Sequence, residues 1–399
     1  MTTQIISIEN QKSYVKARRP AIPNFNAIQA HAAAFYSALS AGWKCSCLVD
    51  HRVNLRLESR DHTIDDDREQ DFKGDPFRVV FHNSGSNLAG KGVPSPPWTW
   101  EEADIHVTRQ SYDGPQLDLR SSVKGVRFEV KAKKVTKALP GPDHSIPPIH
   151  DLCTAISNLR KPEHDHCLSL LTPEYATQKY GVYIYPLQGR PSDPLSYSTS
   201  PLRSVLDDPD FSWRDRSYLA IILASSVLQL HNTPWLDEYW GLDSVFFIGQ
   251  VDQIAYKHPF VSQNFNTAND TFQTNSIPPL VRRIIRNQAL YALGVSLIEL
   301  RYKKSIQELH KPEDGPLSSN DPVATILTQW NTADRLAEKL EGDVGFCYGD
   351  AVRRCIRCNF NCKSSCLDEI TFQAEVYQGV VSLLQRNYDS FFAPEFSTS

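Results

Sequence analysis

Between residues 51 and 186 apolar side chains recur at alternate positions, whereas beyond residue 216 they recur at every third or fourth position. The two periods belong to different backbones. A strand turns successive side chains to opposite faces, and a helix brings positions three and four apart onto one face. A chain that keeps the two patterns in separate stretches is confined to the α+β class, with the sheet and the helices built by different parts of the sequence.

The strand-like segments are His51 to Glu58 (HRVNLRLE), Phe77 to His82 (FRVVFH), Gly125 to Lys131 (GVRFEVK), His166 to Leu171 and Tyr180 to Pro186 (YGVYIYP). Between the third and fourth lies Pro147 to Leu159, whose Ile149, Leu152, Ile156 and Leu159 follow helical spacing. Proline opens that element, where its missing N–H costs nothing. Ahead of the strands, Asn26 to Ala41 is rich in alanine, carries a stripe of Ile28, Ala32, Phe35 and Leu39, and reads as a helix that packs on the following domain. Residues 189–214, rich in Pro, Ser and Asp, read as a connection with little regular structure. Helices are expected over 216–231, 287–300, 322–340, 350–358 and 369–386. The second of these is apolar nearly all round, as a helix at a domain centre is. The resulting domain plan is an N-terminal tail and helix (1–42), a sheet-rich unit with one helix (43–188) and a helical unit (189–399).

With 399 residues, 41% of them hydrophobic, the chain can bury a sizeable core. A net charge of −4 gives no bulk attraction to nucleic acid or anionic membrane, so no nucleic-acid partner is expected. The N-terminal residues are too polar for a signal peptide, and no apolar run is long enough to span a bilayer. The expected location is therefore cytoplasmic or nuclear. Nine cysteines, several in apolar or helix-like segments, read as reduced thiols in a reducing compartment.

Two cysteine clusters invite metal chemistry. Cys355, Cys358, Cys362 and Cys366 lie within a dozen residues. If helical, they share one face but spread over about 16 Å, too far for one ion. Buried thiols are the favoured reading there, with a zinc-stabilised module as an alternative. In WKCSCLVDH, Cys45 and Cys47 are two apart and His51 begins a strand; structural roles are favoured over a metal. His164 and His166 read as part of a solvated turn.

A small sheet with one helix after its third strand, then a helical unit, resembles the two-lobed layout of protein kinases. NLRKPEHDHCLSLL resembles the kinase stretch between the regulatory helix and the fourth strand. LASSVLQLH (223–231) resembles the helix before the catalytic loop, and LYALGVSLIEL (290–300) the central helix of the large lobe. GWKCSC, HRVNLRLESR, LHNTPWL, AVRRCIRC and FQAEVYQGVVSLL together look like an uncharacterised fungal domain family of kinase-like architecture. Its members are often joined to helical domains found in prion-forming and incompatibility proteins. The resemblance implies a small antiparallel sheet lobe beside a mainly helical lobe.

It also implies where phosphoryl-transfer residues belong, and those places are filled by other side chains. Transfer needs a loop over the phosphates, a lysine paired to a helix glutamate, a base and two metal-binding positions. The phosphate-loop segment SRDHTIDDDREQDFKGDP holds one glycine and seven acidic residues, which repel a triphosphate. Lys131 of FEVK takes the strand-lysine place, but Leu152 falls at the glutamate position, with Asp151 one residue off. Aligning SVFFI (244–248) with the usual NILL puts Asp237, Glu238 and Tyr239 at the HRD positions and Ser244 at the metal-binding asparagine. No DFG follows, Asp252 being the sole downstream candidate, and Ala289 replaces the central-helix aspartate. The expectation is a catalytically inactive kinase-like module (a pseudokinase) without cofactor, whose partners are other proteins. A divergent kinase using Lys131 with Asp237 or Asp252 is the alternative.

Overall fold

The computed structural model describes residues 22–45, 47, 51–60, 75–83, 98–109, 149, 151–159, 168–170, 180–187, 197–250, 254–265, 283–316 and 321–392. It is an α+β structure. Eight strands form one antiparallel sheet: β1 (His51–Arg56), β2 (Phe77–Asn83), β3 (Trp100–Arg109), β4 (Leu168–Leu170), β5 (Tyr180–Pro186), β6 (Tyr197–Pro201), β7 (Phe246–Gln250) and β8 (Pro259–Phe265). Their order across the sheet is β4-β5-β3-β2-β1-β8-β7-β6.

Alternation determines what each face buries. Val53 lies opposite Phe81, and Ile105 opposite Ile184. These side chains join the main core, together with Leu55, Val79, Ala103 and Val182. On the reverse face Val80, Trp100, Ile248 and Phe260 make a smaller cluster, with His82 stacked on Trp100 at 3.9 Å between ring centroids. Asn54 is buried in the middle of β1; its amide donates to the Val80 carbonyl, and Ser262 of β8 donates to its side-chain oxygen. A buried polar side chain satisfied from both neighbours fixes the register of three strands at once.

The strand after β2 is Trp100–Arg109, a segment to which the sequence expectation assigns no element, and this corrects that expectation. Gly125 to Lys131 lies outside the described residues, and the place between β2 and β5 is filled by WEEADIHVTR. That strand was legible in Ala103, Ile105 and Val107 at period two. Its two adjacent glutamates masked the alternation, although Glu101 is itself buried. A second correction concerns 189–214. Tyr197–Pro201 forms the edge strand β6, continued by a short 3-10 turn (Leu202–Val205). β6, β7 and β8 come from the part of the chain expected to be helical, and they extend the same sheet beyond β1. Serine-rich β6, with Pro201 in it, suits an edge where, among the described residues, one side of the ladder faces no partner.

The helices are α1 (Phe25–Gly42), α2 (Leu152–Asn158), α3 (Trp213–Leu230), α4 (Gln288–Tyr302), α5 (Pro322–Val344), α6 (Phe346–Arg357), α7 (Ile370–Val376) and α8 (Ser382–Phe392), the last two joined by a π turn (Tyr377–Val381). Side-chain caps set several starts: Asn24 accepts from Ala27 N–H, Ser212 from Asp215 N–H and Asn287 from Leu290 N–H. α3 and α4 are buried nearly all round. Gly294 of α4 lets α6 approach closely, since a Cβ there would lie 2.7 Å from Ile356 Cδ1.

α1 lies between the sheet and α3. Phe35 stacks on Phe77 of β2 (5.7 Å between centroids) and on Trp235 (4.9 Å), which follows α3. The Trp235 indole N–H donates to the Ala32 carbonyl at 2.9 Å. Removing that ring leaves a large cavity between sheet and helices. Trp235→Ala is expected to lower unfolding free energy by about 3–5 kcal/mol in denaturant titration, and Trp235→Phe by markedly less.

His31 lies on the buried side of α1, where burial and then the charge of Arg60 hold its imidazole down at about 4 from an ordinary 6.5. The unfolded chain takes up this proton as pH falls through 6.5, while the folded chain resists until about 4. Stability is therefore lost across that window, by about 2 kcal/mol at pH 5. Thermal unfolding measured at pH 7 and pH 5 should show a smaller loss for His31→Gln than for the parent chain.

Candidate functional site

The stretch that the kinase resemblance aligns with a catalytic loop begins in buried joints and ends in exposed turns. His231, which ends α3, is buried and contacts Gln29 of α1 (2.7 Å from Nδ1) and the Asp368 carboxylate (3.4 Å from Nε2). Burial lowers its pKa against the opposing pull of Asp368. Trp235 is inserted under α1, and Gln263 of β8 donates to the Pro234 carbonyl. Asp237 is exposed, and its carboxylate accepts the backbone N–H of Tyr239 at 2.7 Å, closing a local turn. Ser244 lies in a 3-10 turn (Leu242–Ser244) on the surface. Lys131 and Asp252 lie outside the described residues.

The entrance to the expected phosphate loop is likewise tied down. Arg60, 4% exposed, donates to the Gln229 side chain of α3 and to the Pro76 carbonyl, and its guanidinium lies 4.1 Å from the Phe77 ring centroid. Gln229 in turn donates to the Glu58 carbonyl. Burial lowers the Arg60 pKa to about 10, which leaves the group cationic at neutral pH. Asp151, the acidic neighbour of the glutamate position, caps α2. Its carboxylate accepts from Cys153 N–H, Thr154 N–H, the Thr154 hydroxyl and Lys44 N–H. Burial works to raise its pKa, but those hydrogen bonds outweigh it and hold the carboxyl below its usual range. Leu152 is wholly buried.

The four cysteines from 355 to 366 do not share a helix face. α6 ends at Arg357, and Cys358 takes the left-handed conformation (φ 46°), so the stripe expected from the sequence stops there. Cys355 and Cys358 enter the core, while Cys362 faces Thr371 and Cys366 donates to the Asp368 carboxylate. His164 and His166 lie outside the described residues.

The structure instead gathers Cys45, Cys47, His51 and Cys153, whose ligand atoms all lie within 4.8 Å of one another. Among the described residues no other group of three or more His, Cys, Asp or Glu side chains is arranged in this way. Cys45 and Cys47 follow α1, His51 opens β1, and Cys153 lies in the first turn of α2. Cys45 Sγ is 3.5 Å from His51 Nε2, and Cys47 Sγ is 3.9 Å from Cys153 Sγ. The His51 ring packs against both Trp43 and Trp98, at 4.3 and 5.9 Å between centroids, and the two indoles are themselves 6.4 Å apart. Trp98 donates its indole N–H to the Cys153 carbonyl at 3.2 Å. Burial and the neighbouring thiols push Cys153 up, and burial followed by the contact with Cys45 raises Cys47. Sequence spacing gave the first three residues. Cys153, separated from Cys47 by 106 positions, joins them only through the docking of α2.

No helix among the described residues is long and apolar enough to cross a membrane. No curated protein matches the chain. The domain of unknown function DUF7580 matches residues 24–391, nearly the whole chain, and the protein therefore belongs to the DUF7580 family.

Proposed function

We propose that this chain is a non-catalytic, kinase-like module that works by binding other proteins, in fungal signalling or self/non-self recognition. The observation that carries the reading is the fixation of the segment from His231 to Trp240. A catalytic loop presents a base and a metal ligand to a cleft. Here the corresponding stretch has Trp235 under α1, His231 held by Gln29 and Asp368, and Asp237 turned outward to cap its own turn. Two further features support it. A helix stands between the third and fourth strands and most helices follow the first five strands, as a kinase-like order requires. Arg60, at the start of the would-be phosphate loop, is bonded to Gln229 of α3.

The fungal setting and the protein partner rest on the sequence resemblance alone. A hydrophobic frame kept beside phosphoryl-transfer residues that are absent fits a scaffold that others recognise. Catalysis by positioning requires oxygen ligands for Mg²⁺ facing the phosphates; the exposed Ser244, and an Asp237 carboxylate engaged with its own turn, support the non-catalytic reading.

The reading predicts that ATP with Mg²⁺ leaves the thermal unfolding midpoint unchanged across a titration, and that radiolabelled phosphate reaches neither the chain nor a generic protein substrate. Saturable stabilisation together with turnover abolished by Asp237→Asn would establish the competing kinase reading. For the partner, crosslinking in fungal cells should join surface lysines of this chain to a different protein; crosslinks confined to the chain itself count against a binding role.

A further inference from the structure

The geometry points to a structural zinc site formed by Cys45, Cys47, His51 and Cys153. This goes beyond the proposed binding role and does not depend on it.

The argument is one of distances. Zinc bound at about 2.3 Å to sulfur and about 2.0 Å to nitrogen, at tetrahedral angles, requires edges of about 3.8 Å between two sulfurs and about 3.5 Å between sulfur and nitrogen. The two separations resolved in the cluster are 3.9 Å for Cys47 Sγ to Cys153 Sγ and 3.5 Å for Cys45 Sγ to His51 Nε2. The pairs share no atom, as opposite edges of a tetrahedral ligand set would not. All four ligand atoms fall inside 4.8 Å. Cys45 and Cys47, one residue apart in sequence, supply two corners from one short segment, while His51 and Cys153 supply the others from a strand and a helix.

The surroundings hold those corners. His51 is 2% exposed and packs against the rings of Trp43 and Trp98, which limits rotation of the imidazole. Trp98 grips the backbone of Cys153, and Asp151 bonds the N–H groups of both Cys153 and Lys44, tying the segment beside Cys45 to the start of α2. Hydrogen-bonded neighbours of this kind orient metal ligands and govern affinity. Cys45 and Cys47 are partly exposed, which gives an ion a way in. Thiolate and imidazole ligands filling four positions make a closed site, so the ion's role is to staple α2 and the end of α1 to β1, not to activate water.

The full chain, purified under reducing conditions from zinc-supplemented cells, is expected to carry one zinc per molecule by elemental analysis. Refilling the stripped protein with Co²⁺ should give a thiolate-to-cobalt charge-transfer band and the intense visible bands of a tetrahedral ion. Cys153→Ser should weaken zinc binding by roughly tenfold or more, and His51→Asn likewise. Cys366→Ser, an exposed thiol outside the cluster, should keep both the stoichiometry and the cobalt spectrum. Because a ligand variant can misfold, zinc added back to the stripped parent chain provides a second measurement, and its unfolding midpoint should rise saturably. Metal-free parent chain with no cobalt spectrum would overturn the assignment. So would zinc content unaffected by Cys153→Ser, or a Cys47–Cys153 disulfide recovered after thiols are blocked at lysis.

Discussion

The sheet and the helices meet at Phe35. Its ring stacks on one side against Phe77 of the sheet and on the other against Trp235 beyond α3, and all three are nearly inaccessible to water. Aromatic faces in such contact contribute about 0.5–1.5 kcal/mol each beyond the area they bury. The larger effect is geometric. α1 becomes the layer through which strands and helices touch, so a helix that the sequence places ahead of the sheet-rich unit lies at its centre. The stretch after α3 is anchored in that layer by its tryptophan.

The same layer explains the polar residues buried along it. Buried His31, Arg60, Gln229 and His231, with half-buried Gln29, occupy positions where a purely apolar packing would leave backbone carbonyls without donors. Gln29 answers the Leu228 carbonyl at the end of α3, and Gln229 answers that of Glu58 at the end of β1. Hydrogen bonds of this sort add little net stability, but misplacing one leaves a buried group unsatisfied, so they select one docking of α1 over its neighbours. The sheet-rich and helical parts are joined by directional contacts as well as by apolar area.

Much of this frame was legible from periodicity. The helix over residues 26–41, the strands at 51, 77 and 180, and the buried central helix all appear where the spacing of apolar residues places them. The failures have physical causes. β3 was hidden by Glu101 and Glu102, because a buried glutamate breaks the alternation that betrays a strand. β6 has only serine, threonine and tyrosine before its proline, and nothing apolar marks an edge strand that buries little. The cysteine run after 355 has helical spacing, yet the backbone turns left-handed at Cys358, and no local signal announces that. Cys45, Cys47 and His51 were visible as a group. Their fourth companion was not, since proximity across a hundred residues is a product of the tertiary fold and leaves no trace in spacing.

One consequence follows from the place of β1 in the sheet. It pairs with β2 on one side and with β8 on the other, and the Asn54 to Ser262 contact closes a span of 208 residues. As the chain leaves the ribosome, β1 through β5 can assemble early, but the remaining flank of β1 stays open until residue 265 has emerged. An open ladder of that kind recruits any extended peptide nearby. During synthesis one flank of β1 therefore waits for its partner until β8, some two hundred residues later in the chain, has been made.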